Sequence, residues 1–230
     1  FPIIIKPTDR SGSRCVTKLE SVTGLTKAVR NACDVSFEKS AIIEEYIDGD
    51  EYSMETVTQN GEHHYLATTR KFTTGAPHFI ETGHRQPSGL NEETIERAKS
   101  TVFEALTALH VENSAGHSEF RIDSEGNIKL IEIGARMGGD CIGSDLVFLS
   151  TGYDFTKMVI DVAVGNPLMF QSGSHHMTAE VRFLLTEKDM AIFEEKKKQG
   201  NIYRISDMCP ENCGNVTDSS SRIGYYICYE

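Results

Sequence analysis

The 230-residue sequence predicts an α+β fold in which antiparallel β-hairpins are flanked by amphipathic helices. Asn60-Gly61 stands between two alternating runs and is a strong hairpin signal, because both residues accept positive φ. A second hairpin is expected over residues 117–134. Between the two, Asn91 is a good N-cap for a helix that carries its apolar residues on one stripe as far as about residue 110.

The other elements follow in chain order from the same kinds of signal. Ile3-Ile4-Ile5 is typical of a buried strand, which Lys6-Pro7 ends because proline cannot continue a hydrogen-bond ladder. Thr186 is expected to cap the last helix, with Gly200 beyond its end. Further strands are predicted over residues 15–18, 41–47, 51–58 and 63–71, and further helices from about residue 21 and over 154–164.

The composition excludes several classes of function. A net charge of −11 argues against a general binder of nucleic-acid backbones, which needs a basic surface. A nucleotide pocket stays compatible with this charge, because a local basic site can lie in an acidic protein. No apolar run approaches the ~18 residues of a membrane span, and no signal peptide is visible. We therefore expect small-molecule partners, with neither nucleic acid nor membrane, and leave open whether the chain forms a homodimer.

The cysteines indicate the cellular compartment, and the first residues indicate whether the sequence is part of a longer protein. Six cysteines are too few for a disulfide scaffold of this size, so a reducing cytoplasm is expected. Cys209 and Cys213 form a single C-x3-C, which fits two free thiols better than a zinc site. The sequence opens with Phe1, directly before a strand-like run, so we interpret it as part of a longer protein.

The hairpin at residues 117–134 holds the most informative acidic pair. An even-numbered loop that pairs Asp123 with Ile128 places Glu119 opposite Glu132, with β-carbons ~5 Å apart. Directly opposed carboxylates repel, and a shared Mg²⁺ would remove the conflict with oxygen ligands that it favours. The other face would carry Phe120, Ile122, Ile131 and Ile133. An odd loop would shift this register, and an exposed hairpin with solvated charges is the alternative.

Three other features point toward a phosphate-bearing ligand. Arg136 follows Glu132 by four residues and so points to the same side of an extended strand, where a guanidinium suits phosphate or carboxylate. Lys6, at the end of a strand, and the loop after it could face a polyphosphate, although a surface turn is an equal alternative. Glu51 follows a strand and a short turn, where its carboxylate could accept two ribose hydroxyls or simply be solvated.

The ordered combination of these motifs resembles the ATP-grasp superfamily over roughly residues 2–165. It consists of a strand-Lys-Pro, a serine–glycine loop, Glu-Glu-Tyr-Ile-x-Gly-x-Glu, and two acidic strands that end in Glu-Ile-Gly-Ala-Arg-Met-Gly-Gly. Within the superfamily the sequence is most similar to the L-amino-acid ligases that form dipeptides, in particular through residues 78–88.

The resemblance implies a role for each matching residue. Lys6, Ser11, Gly12, Ser13, Glu44, Glu45, Ile47 and Glu51 would bind ATP, with the Ser-Gly-Ser segment as a lid over the phosphates and Glu51 on the ribose. Glu119 and Glu132 would bind Mg²⁺ (or Mn²⁺), and Arg136, with Glu132, would act in catalysis by stabilising the transferred phosphate. Glu81, His84, Gly138, Gly139 and Asp140 would face the amino-acid substrates.

The resemblance also implies the organisation of the chain. Residues 1–57 would form a small nucleotide-binding lobe, truncated upstream, and residues 58–230 a larger antiparallel lobe, with ATP between them. Two positions depart from the family pattern: Gly134 stands where many members carry a metal-binding asparagine, and Cys15 stands where the lid loop commonly ends in glycine. An upstream lysine and an N-terminal substrate domain are absent from these residues, so we expect residues 1–230 alone to be inactive.

The function that the resemblance implies is ATP-dependent carboxylate–amine ligation through an acyl phosphate, with amino acids as the expected substrates. A carboxylate would attack the γ-phosphate, and an amine would then displace phosphate; such chemistry depends mainly on positioning. Two alternatives stay open. One is a purine-pathway enzyme similar to phosphoribosylglycinamide synthetase, or a carboxylase-type enzyme. The other is a nucleotide-binding module without ligase activity.

Overall fold

The computed structural model describes residues 1–170 and 177–230, which form two antiparallel sheets with flanking helices. The strands are β1 (Ile3–Pro7), β2 (Thr17–Leu19), β3 (Ala41–Glu45), β4 (Asp50–Gln59), β5 (Glu62–Thr73), β6 (Glu81–Gln86), β7 (Ser114–Ile122), β8 (Ile128–Gly134), β9 (Ala179–Leu184), β10 (Ile202–Ile205) and β11 (Gly224–Tyr229). The helices are α1 (Leu25–Val35), α2 (Glu92–Ala108), α3 (Val147–Thr151), α4 (Phe155–Ala163) and α5 (Glu187–Gln199). The α+β class predicted from the sequence is confirmed.

The small sheet has the order β2-β1-β3, and α1 packs on it through Ala28 and Ala32. The large sheet has eight strands in the order β10-β11-β9-β6-β5-β4-β7-β8. Its central strand β4 already begins at Asp50, so the division between the sheets falls in the segment after β3. We predicted the division between lobes at residue 57; where the lobes divide as folding units stays a prediction.

Several local predictions are confirmed at the level of hydrogen bonds. Asn60 and Gly61 both have positive φ in the β4–β5 turn. The side chain of Asn91 accepts a hydrogen bond from the backbone N–H of Thr94 at the start of α2. Thr186 caps α5 with a reciprocal capping box, and Gly200 has φ 83° just beyond the end of that helix. Local side-chain chemistry therefore determines where these elements begin and end.

Two expectations about the elements were wrong or incomplete. Helix α1 begins at Leu25, after Gly24, rather than near residue 21. Strand β6 had not been predicted, because Glu81–Gln86 has no apolar alternation. This strand is nevertheless central, since it lies between β5 and β9 and carries Glu81 and His84. Within the described ranges, none of the helices combines the length and the apolar character that a bilayer crossing requires.

Candidate active site

A cavity of about 1120 Å³ lies between the small sheet and one face of the large sheet. It is lined by fifteen of the predicted site residues: Lys6, Ser11, Gly12, Ser13, Glu44, Glu45, Ile47, Glu51, Glu81, His84, Glu119, Glu132, Arg136, Gly139 and Asp140. Residues that lie far apart in the sequence therefore converge on one volume. Gly138 lies behind this wall, where its N–H donates to the buried carboxylate of Glu55 at 3.0 Å.

Glu119 and Glu132 are opposite each other, as predicted, but for a different reason. The expected pairing of Asp123 with Ile128 is wrong, because Ile122 pairs with Ile128 and a five-residue loop closes between Asp123 and Asn127. This register alone would have misaligned the two glutamates. A bulge at Ile131 between the Phe120 and Glu119 pairs shifts the register by one residue and restores their alignment.

The bulge also changes the apolar face of this hairpin. Phe120 is fully buried, and Ile122 and Ile133 pack against its cluster, as predicted. Leu130 joins them, whereas Ile131 lines the cavity instead of the core. One extra residue therefore re-aims the strand just before the segment that carries Arg136.

Lys71 forms the electrostatic centre of the cavity floor. It lies on β5 opposite Glu51, and its side chain is only 3% exposed. Its Nζ contacts a carboxylate oxygen of Glu119, lies 3.1 Å from Glu51 Oε1 and lies 3.9 Å from Glu81 Oε1. Burial by itself would lower the pKa of Lys71, but these three carboxylates raise it above its usual value, so the lysine stays charged.

His117 supports Glu119 from the other side. Its Nδ1 lies 2.5 Å from Glu55 Oε1, and its Nε2 lies 3.2 Å from Glu119 Oε1. Burial opposes protonation, but Glu55 and Glu119 raise the pKa of His117 to about 9. Burial would likewise raise the pKa of Glu119, and Lys71 and His117 outweigh it and hold that pKa well below its usual range. The carboxylate is therefore ionised and fixed between two cations.

Glu132 has a much more open environment on the edge strand β8. Its side chain is 51% exposed, and its nearest cation is Arg136, whose Nη2 lies 3.7 Å from Oε1. Strand β8 ends at Gly134, so Arg136 reaches the same side through the following segment and not by strand alternation. Its Nη1 donates to the carbonyl oxygen of Met137 at 2.9 Å.

The segment between the two sheets is held by Arg121, which the sequence analysis did not identify. Its Nη1 donates to the carbonyl oxygen of Ile47 at 2.9 Å, and its Nη2 donates to Glu51 Oε2 at 2.8 Å. On the small sheet, Lys6 Nζ lies 2.7 Å from Glu44 Oε2. Residues predicted to contact the nucleotide are thus held by charge pairs between neighbouring strands of each sheet.

The predicted lid loop lines the cavity and makes contacts with Phe79 and Ser219. Ser13 Oγ donates to the carbonyl oxygen of Phe79 at 2.8 Å, and the carbonyl oxygen of Gly12 accepts from the N–H of Ser219 at 3.2 Å. Cys15 has φ 59°, in the left-handed region that favours glycine. The position that departs from the family pattern therefore keeps the backbone conformation that glycine adopts most easily.

His84 and Asp140 form the far wall of the cavity. His84 is buried, and burial lowers its pKa, so the ring is neutral. Its Nε2 lies 3.9 Å from Asp140 Oδ2. Burial would raise the pKa of Asp140, but His84 and Arg222 lower it to about 2. Arg222, from the C-terminal part of the chain, was also missed by the sequence analysis.

Comparison with protein families identifies the class of fold. Residues 1–145 match the model of the ATP-grasp domain, and the chain therefore belongs to the ATP-grasp family, as its motifs predicted. An L-amino acid ligase from Bacillus licheniformis has the same fold over the whole of this chain and 58% of its own, with a TM-score of 0.80 at 24% identity. A phosphoribosylglycinamide synthetase from Anaerococcus prevotii gives a TM-score of 0.68 at 22% identity, over 59% of its chain.

Two sequence relatives are themselves ligases. The chain is 28% identical over 185 residues to alanine–anticapsin ligase of Bacillus subtilis (strain 168). This alignment covers 70% of the chain and 38% of that protein. It is 27% identical over 180 residues to a D-alanine–D-alanine ligase of Nitrosococcus oceani. That alignment covers 76% of the chain and 56% of the relative. The chain thus spans roughly two-fifths to just over half of the length of these relatives.

Proposed function

We propose that the protein containing this chain is an ATP-dependent carboxylate–amine ligase that acts on amino acids through an acyl phosphate. The observation that carries the proposal is the convergence of Glu119, Glu132 and Arg136 with the lid loop on one cavity. Two of the sequence relatives bear the names of ligases that act on alanine, which supports amino acids as substrates.

The proposed nucleotide site lies at the small sheet. Lys6, Glu44, Glu45 and Ile47 line its adenine side, and Glu51 holds the ribose. Ser11, Gly12 and Ser13 cover the phosphates, where backbone N–H groups and hydroxyls donate to oxygen. Lys71 adds a fixed positive charge at the floor, because it remains protonated among three carboxylates. The acceptor-rich floor with its buried cation suits a nucleotide that arrives with a divalent metal.

The donors fit Mg²⁺ or Mn²⁺ when a nucleotide supplies further oxygens. Among the residues described here, no group of three or more His, Cys, Asp or Glu side chains could hold a metal ion by itself. Two carboxylates with phosphate oxygens and waters are the ligand set that Mg²⁺ commonly takes. Glu119 and Glu132 would hold the ion, which would neutralise phosphate charge and so favour attack at the γ-phosphate.

The chain's own residues would perform the remaining chemistry. Arg136 neutralises charge on the transferred phosphate and can grip two oxygens at once. Glu81, His84, Gly138, Gly139 and Asp140 face the amino acids, with His84 as a neutral hydrogen-bonding partner. The closed lid excludes water, so that the acyl phosphate reacts with the amine and not with solvent.

A phosphate-release screen of the natural full-length protein against pooled amino acids tests the proposal. We expect Mg·ATP-dependent phosphate release with one or more pools, and a peptide or amide product by mass spectrometry. Turnover only with a phosphoribosylamine or bicarbonate would assign the protein to the purine-pathway or carboxylase-type enzymes. Nucleotide binding without phosphate release under any acceptor mixture would show a module that lacks ligase activity.

A further inference from the structure

A turn near the C-terminal end of the described chain completes the wall of the cavity. A short 3₁₀ turn at Ser219–Ser221 leads into Arg222, whose side chain is only 7% exposed. The guanidinium packs 3.6 Å from the ring centroid of Phe183. This turn lies outside the residues 1–145 that match the ATP-grasp model.

Arg222 joins the two acidic residues that are proposed to face the amino acids. Its Nη1 lies 2.8 Å from Asp140 Oδ2, and its Nη2 lies 3.0 Å from Glu81 Oε2. Two separate prongs of one planar group therefore fix the spacing of two carboxylates. An ammonium group cannot reproduce this fork, because it is a point charge on a flexible stem.

Ser219 connects the same acidic pair to the lid. Its Oγ donates to Glu81 Oε2 at 2.8 Å, and it also accepts from Arg222 Nη2 at 3.0 Å. Its backbone N–H donates to the carbonyl oxygen of Gly12 at 3.2 Å. A Cβ on Gly12 would lie 3.1 Å from Ser219 Cβ, so the lid backbone approaches the turn closely. One residue thus contacts both the lid and a substrate-facing carboxylate.

We propose that Ser219 and Arg222 form a latch that positions Glu81 and Asp140 and couples lid closure to occupancy of the amino-acid site. The inference rests on the proposed function for the identity of the substrate. Arg222 is a positioning residue, since it acts through the two carboxylates. An amino acid that engages Glu81 or Asp140 would stabilise the latch, and the latch would hold Gly12 closed. By thermodynamic reciprocity, nucleotide under the closed lid would then strengthen amino-acid binding.

The charge balance supports this role. Glu81 lies between two cations, with Oε1 at 3.9 Å from Lys71 Nζ and Oε2 at 3.0 Å from Arg222. Without Arg222, Glu81 and Asp140 would lose a shared cation in a partly buried wall and would repel each other. We therefore expect both carboxylates to turn away from the positions that they occupy now.

The test compares Arg222→Gln, Arg222→Lys and Ser219→Ala with Arg204→Gln in the natural full-length protein. Arg204 is the matched control, because it also pairs with a buried acid, Asp145, at 2.9 Å, and it does not line the main cavity. The substrate is the amino acid that gives phosphate release in the screen. We expect Arg222→Gln to raise the KM for this amino acid at least about tenfold and the KM for ATP less than about threefold. The KM of Arg222→Lys for the amino acid should lie between those of the parent and Arg222→Gln.

Trypsin cleavage of the lid loop provides a second measurement, because Arg10 and Arg14 directly flank the Ser-Gly-Ser segment. With a non-hydrolysable ATP analogue bound, the amino acid should slow this cleavage in the parent protein and in Arg204→Gln. It should have little effect in Arg222→Gln and a reduced effect in Ser219→Ala. Equal KM values and equal protection in Arg222→Gln and Arg204→Gln would overturn the latch.

The two proposals fail in different ways. If no amino acid supports turnover in the parent protein, the proposed function is wrong. The cleavage rate with the ATP analogue alone still tests the latch in that case. Faster lid cleavage in Arg222→Gln and Ser219→Ala than in Arg204→Gln would support the contact with Gly12, and equal rates would refute it.

Discussion

The edge strand of the large sheet and the strand next to it hold the two opposed glutamates in very different surroundings. Glu119, on the inner strand β7, is 19% exposed and contacts Lys71 and His117. Glu132, on the edge strand β8, is 51% exposed and lies 3.7 Å from an equally exposed Arg136. The protein therefore orders one half of the proposed metal and phosphate site in advance, while the other half is open to be ordered by the ligand.

Replacing each glutamate by glutamine should give the largest effects and should distinguish the two positions. We expect both Glu119→Gln and Glu132→Gln to abolish Mg·ATP-dependent turnover, because each removes one carboxylate of the proposed metal pair. Only Glu119→Gln should also destabilise the fold, by about 3–5 kcal/mol, because it leaves two buried cations short of a partner. Steady-state assays and denaturant unfolding of the natural full-length protein measure both effects. Turnover of Glu132→Gln within about threefold of the parent, less than roughly 1 kcal/mol, would remove Glu132 from the metal site.

Lys71 allows a second test, on stability alone. Lys71→Met should lower the free energy of unfolding by about 3–5 kcal/mol, because Glu51, Glu81 and Glu119 would lose the buried cation that they share. The matched control is Arg70→Met, which breaks the neighbouring but exposed pair with Asp50 at 2.7 Å and should cost less than about 1 kcal/mol. Equal losses in the two variants would show that the buried network adds nothing beyond a surface ion pair.

Arg136→Lys tests the role of Arg136, because it keeps the positive charge and loses the planar guanidinium that can bind two oxygens at once. If Arg136 grips phosphate and carboxylate oxygens together, turnover should fall by on the order of 10²-fold with little change in melting temperature. Arg97→Lys is the control, because Arg97 donates to an exposed carbonyl oxygen in the β7–β8 loop. Unchanged turnover together with a lower melting temperature would mean that Arg136 only pairs with Glu132.

The pH dependence of stability tests the pairing of His117 with Glu55 and Glu119. The folded-state pKa of His117 is raised to about 9 from 6.5, so its contribution is fully present below pH 6.5 and is lost as the pH rises through about 9. The stability advantage of the parent over His117→Gln should therefore shrink across this window, by about 3 kcal/mol. His63→Gln is the control, because burial lowers the pKa of His63. A difference between parent and His117→Gln that stays constant with pH would contradict the charged pairing.

The sequence predicted most of what depends on local chemistry. Caps and turn residues placed Asn91, Thr186 and Asn60-Gly61 correctly, and the order of motifs named residues that line one cavity. The β7–β8 register shows the limit of this reasoning, because the loop was misjudged and a bulge at Ile131 corrected the outcome. A bulge depends on packing against neighbouring strands, and its position is not encoded in the loop residues alone.

The charge network could not be found from the sequence for a related reason. Lys71 lies in a strand that mixes polar and apolar residues, so it is indistinguishable there from a solvated lysine. Arg222 reaches Glu81 across 141 residues and Asp140 across 82, and no local pattern reports such contacts. The His117-x-Glu119 spacing was an available signal, since it places both side chains on one face of a strand.

The separation in sequence between Arg222 and its partners also has a consequence for the order in which the contacts of the cavity form during folding. Lys71 and Glu119 are only 48 residues apart, so a comparatively short span of chain has to close for their contact to form. The contact between Arg222 and Glu81 must close a span of 141 residues, and long-range pairing is slow because loop closure comes first. We therefore expect the contacts of Lys71 to form before those of Arg222 during folding.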